Sequence, residues 1–316
     1  MAIVCAIERV VTSESTADWD YRPAGRGHRL EGALPPCLTE ECLDPSESTV
    51  IPKREMNMIL DQLDYELLLV PLNKFYDLHI GGPRRPVFFD IATTRPELLE
   101  LDRNFRVIRE ELMGILPEKG AIPRYHELDQ MQYNISARVD PDKDWKIYPL
   151  NIMGVKPESF CRRCPRTTAL LEAIPGLFEA FFSILEGGKS IPAHEGPYRG
   201  YLRYHLGLLV PEKDPPSIRL KDQVYTWKEG ESVLFDDSWE HEVFNQCEGD
   251  RVVLIVDIRR PMPLPFDAVN RLAQSIMKPL YGRHILKKLA GMTPPSPSAA
   301  GAVAGRAGGP VLDSGA

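Results

Sequence analysis

The sequence lacks any apolar run long enough to cross a bilayer as a helix, which takes about 18 or more residues. Its first residues, MAIVCAIERVV, also lack the basic start of a secretory signal and reach Glu8 too early for one. These two absences predict a protein without a transmembrane segment, located in the cytoplasm. Thiols are kept reduced in that compartment, so disulfide bonds are not expected.

A surplus of positive charge is missing as well. The chain has 45 acidic and 38 basic residues, which gives a net charge of −7. Such a chain has no general attraction to nucleic acid or to anionic lipid, so neither partner is expected for the molecule as a whole. The exception is a basic amphipathic stretch at residues 268–289, which predicts a helix broken at Pro279. That helix either has a solvated basic face or makes peripheral contact with a membrane or an acidic partner.

Cysteine is scarce, with six in 316 residues. Cys161 and Cys164 form a CxxC pair, and Cys37 and Cys42 form a second, wider pair. A four-thiolate zinc site would need both pairs. Their spacing is unlike that of compact zinc fingers, and a small buried apolar side chain is the simpler interpretation of Cys164.

Both ends of the chain lack hydrophobic periodicity. Residues 1–55 mix Ser, Pro, Gly, Glu and Arg, and residues 292–316 are rich in Pro, Ser, Ala and Gly without aromatic residues. These compositions predict a flexible extension and a disordered tail. The folded domain is therefore expected to span residues 56–291.

Within that domain the first half reads as mainly helical. Thr94 and Glu97 have the spacing of a capping box, and an apolar stripe with steps of three and four residues follows them. The expected elements are helices at 56–70, 94–116 and 167–174, and a pair of strands within 133–151.

From Ser183 to Pro261 the pattern changes to short alternating runs separated by Gly-rich or Pro-rich turns, which is typical of antiparallel strands in a closed or double-layered β fold. Alternation along one run places Arg203 and His205 on the same face, and along another it aligns Arg251 with Val253. A face with several basic groups lines something anionic or metallic, or it faces water.

Several segments of this region carry a resemblance when taken in order: CPRT, IPG, FSIL, HEGP, LRYHLGL, EGESVLFDDSWEHE and DRVVLIVDIRRP. Between about Thr94 and Arg271 the chain resembles the aspartyl/asparaginyl β-hydroxylase family of iron(II)- and 2-oxoglutarate-dependent oxygenases. It is also similar to lipid A hydroxylases. The resemblance implies a mainly β fold with flanking helices, built on a double-stranded β-helix (jelly-roll) core.

The resemblance implies that iron is held by His194 and His241. Enzymes of this chemistry usually add a carboxylate two residues after the first histidine, but this sequence has Gly196 there. Aspartyl/asparaginyl hydroxylases share that glycine, whereas lipid A hydroxylases carry Asp. Glu195 would point the other way along a strand and is not expected to be a ligand. Asp237 is predicted to orient a metal-bound water.

By the same resemblance, the residues that contact 2-oxoglutarate are Trp145, Ser183, Arg203, His205 and Arg251. A guanidinium suits the far carboxylate of this cosubstrate because its planar fork matches a carboxylate. Structural alternatives stay open for three of them. His205 lies between leucines and can be a hydrogen-bonded core residue, and either arginine can be the ion-pair partner of Asp236 or Asp257.

The expected function is therefore that of a dioxygenase that uses iron(II), 2-oxoglutarate and O2 to hydroxylate an unactivated C–H bond. The resemblance favours the β-carbon of Asp or Asn in a peptide or carrier-bound precursor. Three alternatives remain: hydroxylation of a lipid acyl chain, a non-catalytic jelly-roll binding module, and a cupin-type metal enzyme that needs no 2-oxoglutarate. The last alternative predicts that Arg251→Ala leaves activity intact.

Overall fold

The computed structural model describes residues 65–129 and 132–291. These residues belong to one unit of the chain that spans residues 51–316. The predicted extension at 1–55, the predicted tail at 292–316 and most of the predicted helix at 56–70 lie outside the described residues.

The core consists of two antiparallel sheets. The major sheet has six strands in the order β1-β8-β5-β10-β3-β2, and the minor sheet has four in the order β4-β9-β6-β7. From β3 to β10 the chain passes back and forth between the two sheets, with β6 and β7 as a hairpin in the minor one. This is the arrangement of a double-stranded β-helix, so the predicted fold class is confirmed. The strands are β1 Phe88–Phe89, β2 Trp145–Asn151, β3 Leu177–Leu185, β4 Ile191–His194, β5 Tyr201–Leu209, β6 Ser217–Leu220, β7 Gln223–Thr226, β8 Ser232–Phe235, β9 His241–Phe244 and β10 Arg251–Arg259.

The central strand β10 is buried on both faces, which explains its nearly continuous apolar sequence. Its even-numbered residues Val252 to Ile258 face outward and are fully buried under the helices. Its odd-numbered residues face inward, toward the minor sheet. Three polar side chains share this inner face with Arg251 and Asp257 at its two ends: Ser183 pairs with Val253, His205 with Ile255, and Arg203 with Asp257.

Helices cover the outer face of the major sheet, chiefly Phe105–Ile115 against β5 and Pro165–Glu172 against β3. The apolar stripe predicted there is buried, with Leu101, Ile108 and Leu112 fully inaccessible to solvent. The helices are α1 Val70–Ile80, α2 Ile91–Thr94, α3 Leu99–Arg103, α4 Phe105–Ile115, α5 Tyr125–Leu128, α6 Tyr133–Ser136, α7 Glu158–Cys161, α8 Pro165–Glu172, α9 Phe266–Met277 and α10 Arg283–Ala290.

The single helix predicted at 94–116 is wrong, because the segment is broken into short pieces. A 3-10 turn at Pro96–Leu98 precedes α3, and Asn104 interrupts the path between α3 and α4 with φ −99° and ψ 15°. Thr94 does not cap a helix, because it is itself the last residue of the short helix Ile91–Thr94, and the carboxylate of Glu97 is bound to Arg95. The apolar periodicity predicted which side is buried, but it did not reveal the breaks.

Two other predicted boundaries also differ. Helical chain continues beyond residue 70, through α1 to Ile80, because Pro71 lies in the first turn, where proline is tolerated. Gly81, with φ 99°, ends this helix in the left-handed region that favours glycine. In 133–151 the structure has one strand, β2, and a turn of helix at Tyr133–Ser136 rather than a pair of strands.

The helix predicted at 268–289 is broken where expected. α9 ends at Met277, a π-helical turn at Lys278–Gly282 contains Pro279, and α10 follows. In the described ranges, every helix is too short or too polar to span a membrane.

Candidate active site

Two histidines from neighbouring strands of the minor sheet face each other. His194 ends β4 and His241 begins β9, and the two residues are direct partners in the β4–β9 register. Their ring centroids are 4.1 Å apart. Residues far apart in sequence are thus brought together by strand pairing, with His241 buried and His194 half-buried.

Both imidazoles have the same hydrogen-bonding arrangement. Nδ1 of His194 lies 2.8 Å from the carbonyl oxygen of Pro192, and Nδ1 of His241 lies 2.8 Å from that of Trp239. A carbonyl oxygen can only accept, so each Nδ1 carries the proton and each Nε2 keeps its lone pair. Burial, with neighbouring cations, lowers the pKa of His194 to about 3 and that of His241 to about 4. Both rings are therefore neutral near pH 7, which is the state that binds a metal.

Gly196 lies two residues after His194 and packs directly against Asp237. A Cβ atom on Gly196 would lie 2.6 Å from Asp237 Oδ2, too close for any side chain without movement of that carboxylate. The Gly196 amide also donates to the Asp237 carbonyl oxygen, at 2.9 Å. The Asp237 carboxylate therefore fills the volume in which a side chain at position 196 would begin.

Asp237 is buried and partly satisfied. Its Oδ2 accepts from the Tyr201 hydroxyl at 2.9 Å and lies 3.1 Å from Arg203 Nη1. Its Oδ1 is buried without a hydrogen-bond partner in the part of the chain that the structure describes. An unmatched carboxylate oxygen beside the imidazole pair is the type of group that accepts from a water molecule or a ligand.

Arg203 forms a bidentate ion pair across the strands. Its Nε and Nη2 donate to the two oxygens of Asp257 at 2.8 and 2.7 Å, while Nη1 faces Asp237. Burial alone would lower the pKa of Arg203, but the two carboxylates together raise it well above its usual value. This geometry corresponds to the structural alternative, in which Arg203 pairs with Asp257. It does not test the prediction that Arg203 contacts the cosubstrate. Asp236, the other proposed partner, pairs instead with Arg85 and Arg260.

Glu179 adds a third carboxyl group to this end of the inner face. It pairs with Asp257 across β3 and β10 and is half-buried. Burial, and then the charge of Asp257, raises the pKa of Glu179 to about 8, so this group binds a proton at neutral pH. Sequence reasoning missed it because alternation gives the face of a strand but not its neighbour in the sheet.

Arg251 lies at the other end of the inner face, six residues along β10 from Asp257, or roughly 20 Å at about 3.3 Å per residue. It is 2% exposed, and its Nε and Nη1 have no hydrogen-bond partner within residues 65–129 and 132–291. Burial lowers its pKa to about 9, which still leaves it charged at neutral pH. A buried cation without an anion is costly, so this geometry fits a site for an anionic ligand.

His205 and Trp227 lie next to Arg251. The guanidinium carbon is 4.4 Å from the Trp227 ring centroid, and the His205 ring stacks on the same indole at 5.8 Å and 21°. Both ring nitrogens of His205 are buried and unpaired among the described residues. The structure therefore does not support the alternative that His205 is a hydrogen-bonded core residue. Burial lowers the pKa of His205 well below its usual value.

Trp145 and Ser183 complete this end of the face. The indole Nε1 of Trp145 donates to the Ser183 hydroxyl at 2.9 Å, between the neighbouring strands β2 and β3. The structure thus brings the predicted residues together along one inner face, with Arg251 and Arg203 at opposite ends. Trp227 was missed, although its position in YTWKEG, between a strand and a Gly-containing turn, was a signal for a side chain that lines the interior.

The predicted CxxC pair lies at the end of α7 and just before α8. Cys161 and Cys164 are buried and unbonded to each other, and the Cys161 thiol donates to the Leu150 carbonyl oxygen. Cys37 and Cys42, the other half of the predicted zinc alternative, lie outside the described residues. Among the residues described, no cluster of three or more His, Cys, Asp or Glu side chains is arranged to hold a metal ion. A site at the imidazole pair would therefore take two protein ligands, as the resemblance implies.

The sequence profile of aspartyl/asparaginyl β-hydroxylases matches residues 102–261, half of the chain, and this stretch contains both imidazoles and both inner-face arginines. The chain belongs to this hydroxylase family. The resemblance found in the sequence is therefore confirmed, and membership supports an enzyme with hydroxylase activity.

Two relatives represent different branches. The ornithine lipid ester-linked acyl 2-hydroxylase of Rhizobium tropici is 42% identical over 186 residues, which is 58% of this chain and 64% of that protein. The human aspartyl/asparaginyl β-hydroxylase is 33% identical over 193 residues, or 58% of this chain and 24% of that protein. The chain spans less than two thirds of either relative. The predicted similarity to lipid hydroxylases is confirmed by an enzyme named for ornithine lipid.

Among solved structures, a cupin domain from Bordetella pertussis is 13% identical and covers 26% of this chain and 80% of that domain, with a TM-score of 0.22. A cupin domain of a transcriptional regulator from Enterobacter cloacae is 14% identical over 27% of this chain and 82% of that one, with a TM-score of 0.23. A likeness at this level supports no argument about function.

Proposed function

We propose that this protein is an iron(II)- and 2-oxoglutarate-dependent hydroxylase of an unactivated C–H bond. One observation carries the proposal: the neutral imidazoles of His194 and His241 and the buried, unpaired guanidinium of Arg251 line one interior. The His205 ring lies near both, because burial lowers its pKa and the charges of Arg203, Arg251 and His241 lower it further. Imidazoles suit ferrous iron, and a buried cation suits a carboxylate.

His194 and His241 would hold the metal through their Nε2 atoms. Their Nδ1–H groups donate to backbone carbonyl oxygens, which fixes the ring orientation and the tautomer before any metal arrives. When bound there, iron would supply the oxidising chemistry in which 2-oxoglutarate and O2 become succinate and CO2 and the substrate gains a hydroxyl group. The protein contributes position and the exclusion of water.

Asp237 would take over part of the role of the missing carboxylate ligand. Its carboxylate occupies the space above Gly196 and has one oxygen without a partner in the described chain. Such an oxygen accepts a hydrogen bond from a metal-bound water and so orients it. Asp237→Asn keeps the shape but exchanges an acceptor for a donor, so we expect turnover to fall by about tenfold or more, with iron affinity nearly unchanged. Unchanged turnover would remove this role.

Arg251 would pair with the far carboxylate of 2-oxoglutarate. His205 lies beside Arg251 and offers further polar contact. Ser183, which accepts from Trp145, pairs with Val253, two residues from Arg251 along β10. Arg203 is placed differently, because its donors are occupied by Asp257 and Asp237. In this proposal Arg203 orients the carboxylates near the metal instead of binding the cosubstrate directly.

The lining beside the imidazole pair supports a neutral aliphatic group as the reacting part of the substrate. Asp237 and Asp257 outnumber the single positive charge of Arg203 between them, and Glu179, which holds a proton at neutral pH, adds a carboxyl group without adding charge. A substrate carboxylate would be repelled by this acidic surface, whereas a hydrocarbon chain would meet the ring of Phe181 on the same face. We therefore propose the acyl chain of a lipid as substrate, in line with the activity for which the relative from Rhizobium tropici is named.

The β-carbon of a peptidyl Asp or Asn is the second candidate, and Gly196 favours it. Aspartyl/asparaginyl hydroxylases resemble this chain in carrying glycine at that position. The neutral Asn side chain avoids the repulsion that an Asp side chain would meet, so Asn peptides are the better version of this candidate.

The test is a turnover screen with added iron(II) and 2-oxoglutarate, in which succinate is measured and products are identified by mass spectrometry. We expect succinate release coupled to one added oxygen on an acyl chain of an ornithine lipid or a lipid A precursor. His194→Ala should abolish it, while His79→Ala, at an exposed histidine that stacks on Phe266, should not. A hydroxyl group found on Asn or Asp peptides alone would establish the second candidate. Iron binding without succinate would indicate a binding module.

A further inference from the structure

Trp227 occupies a crossing point between the two sheets. It follows β7 in the minor sheet and precedes β8 in the major sheet, and its backbone N–H donates to the Pro216 carbonyl oxygen at 3.2 Å. The segment after it runs across Gly207, where a Cβ atom would lie 2.2 Å from the Lys228 carbonyl oxygen. Gly207 is therefore required for this close approach, which delivers the indole of Trp227 to the interior.

The indole has two neighbours that the proposed function places in the cosubstrate site. The Arg251 guanidinium lies over its face at 4.4 Å, which is cation–π distance, and the His205 ring stacks against it. Trp227 is fully buried. Since Arg251 has no ion-pair partner in the described residues, the indole face is what stabilises this cation inside the protein.

Polar groups that lack partners are concentrated on these three side chains. Nε1 of Trp227, both ring nitrogens of His205, and Nε and Nη1 of Arg251 are all buried and unpaired within the described segments. Nearly all buried polar groups in native proteins are hydrogen-bonded, so unpaired atoms on touching side chains indicate a missing ligand. The charge present is positive and the indole N–H can only donate, so the ligand must be an anion with several acceptor atoms.

We propose that Trp227 is a second anchoring residue for the cosubstrate, with two separable contributions. Its ring face holds the Arg251 guanidinium in the pocket, and its Nε1–H donates to the carboxylate that Arg251 pairs with. This inference rests on the proposed function, because it takes 2-oxoglutarate as the anion. It adds a side chain to the site that the sequence did not single out.

The two contributions are separated by two substitutions. Trp227→Phe keeps an aromatic face for Arg251 but removes the N–H donor, and Trp227→Leu removes both. We expect the dissociation constant of 2-oxoglutarate to rise about tenfold for the first and about a hundredfold for the second. In steady-state kinetics the loss should appear mainly as a higher KM for 2-oxoglutarate, because neither contribution involves the reacting carbon.

Affinity is measured by calorimetry on protein loaded with a divalent metal that does not react with O2, such as Zn²⁺. Tyr225→Phe is the matched control. Its hydroxyl group is also buried and unpaired among the described residues, and its ring packs on Trp227 at 6.4 Å, but within those residues it has no hydrogen bond or ring contact with Arg251. Loss of this hydroxyl should leave the affinity for 2-oxoglutarate within about twofold.

A measurement on the unaltered protein guards against variants that fail to fold. In protein labelled with ¹⁵N-tryptophan, the indole N–H signal of Trp227 should shift and exchange more slowly with solvent when 2-oxoglutarate is added. Unchanged affinity in both Trp227 variants, or an indole signal that does not move while 2-oxoglutarate binds, overturns the role of Trp227 and leaves the proposed function standing. Failure of the unaltered protein to bind 2-oxoglutarate overturns both.

Discussion

The two ends of the inner face carry the same residue type in opposite electrostatic states. At one end Arg203 is enclosed by Asp257 and Asp237, with its guanidinium bound on both sides. At the other end Arg251 is more deeply buried, but it lies on an aromatic ring without an acid beside it in the described residues. An arginine whose donors are paired with carboxylates has a structural role. A buried arginine with unpaired donors is a binding site for an anion.

Replacement of Arg203, the paired arginine, should have the largest effect on the free energy of unfolding. Arg203→Met leaves Asp257 and Asp237 buried without a counter-charge, so we expect the free energy of unfolding to fall by about 3–5 kcal/mol. Urea denaturation at neutral pH measures this. The matched variant is Arg251→Met, which removes an unpaired buried charge and should be neutral or stabilising. Equal losses in the two variants would abolish the distinction between the ends.

Replacement of Arg251, the unpaired arginine, should weaken the binding of 2-oxoglutarate instead of the stability of the fold. Arg251→Met deletes the cation that pairs with the far carboxylate, so the affinity for 2-oxoglutarate should fall on the order of a hundredfold. Calorimetry on the zinc-loaded protein measures this. Retained affinity would favour the cupin-type alternative, in which no 2-oxoglutarate is used.

Glu179, at the same end of the inner face as Arg203, should make the stability of the protein depend on pH. The raised pKa of Glu179 means that the folded state holds a proton which the unfolded state releases near pH 4.5. Its stabilising effect is therefore complete below that pH and is lost as the pH rises through about 8. Glu179→Gln cannot ionise, so its stability relative to the unaltered protein should increase by about 3 kcal/mol between pH 5 and 8, since one pKa unit corresponds to about 1.4 kcal/mol. Denaturation curves at several pH values measure this, and parallel pH profiles would contradict it.

The smallest effect on the free energy of unfolding is expected for an arginine whose two carboxylate partners are exposed to solvent. Arg219 on the minor sheet contacts Glu240 and Glu242, whose side chains are 56% and 25% exposed, whereas those of Asp237 and Asp257 are 1% exposed. Such pairs contribute little, so Arg219→Met should change the free energy of unfolding by less than about 1 kcal/mol. A loss as large as that of Arg203→Met would show that burial is not what distinguishes the two arginines.

The sequence allowed the face of each site residue to be predicted, but not its neighbours. Alternation along β5 correctly put Arg203 and His205 on one inner face, because the side-chain period of a strand is local. The partnership of Arg203 with Asp257, and the contact of Trp227 with Arg251, depend on strand order and register. Those are non-local and were not readable from one sequence.

Helix boundaries were predicted less well for a related reason. Thr94 and Glu97 had the spacing of a capping box, yet Glu97 binds Arg95, whose guanidinium also reaches the Arg259 carbonyl oxygen at the end of β10. A tertiary contact thus overrode a local signal. The pairing of His194 with His241 was available only through the resemblance, since spacing alone did not specify which histidines converge.

The most direct test of the account is an anaerobic titration of the iron(II)-loaded protein with 2-oxoglutarate, followed by visible absorption. A 2-oxo acid bound to ferrous iron gives a charge-transfer band, and we predict a saturable band that is absent in His194→Ala and needs about a hundredfold more 2-oxoglutarate in Arg251→Met. Iron-loaded protein that gives no band at any concentration of 2-oxoglutarate would contradict the account.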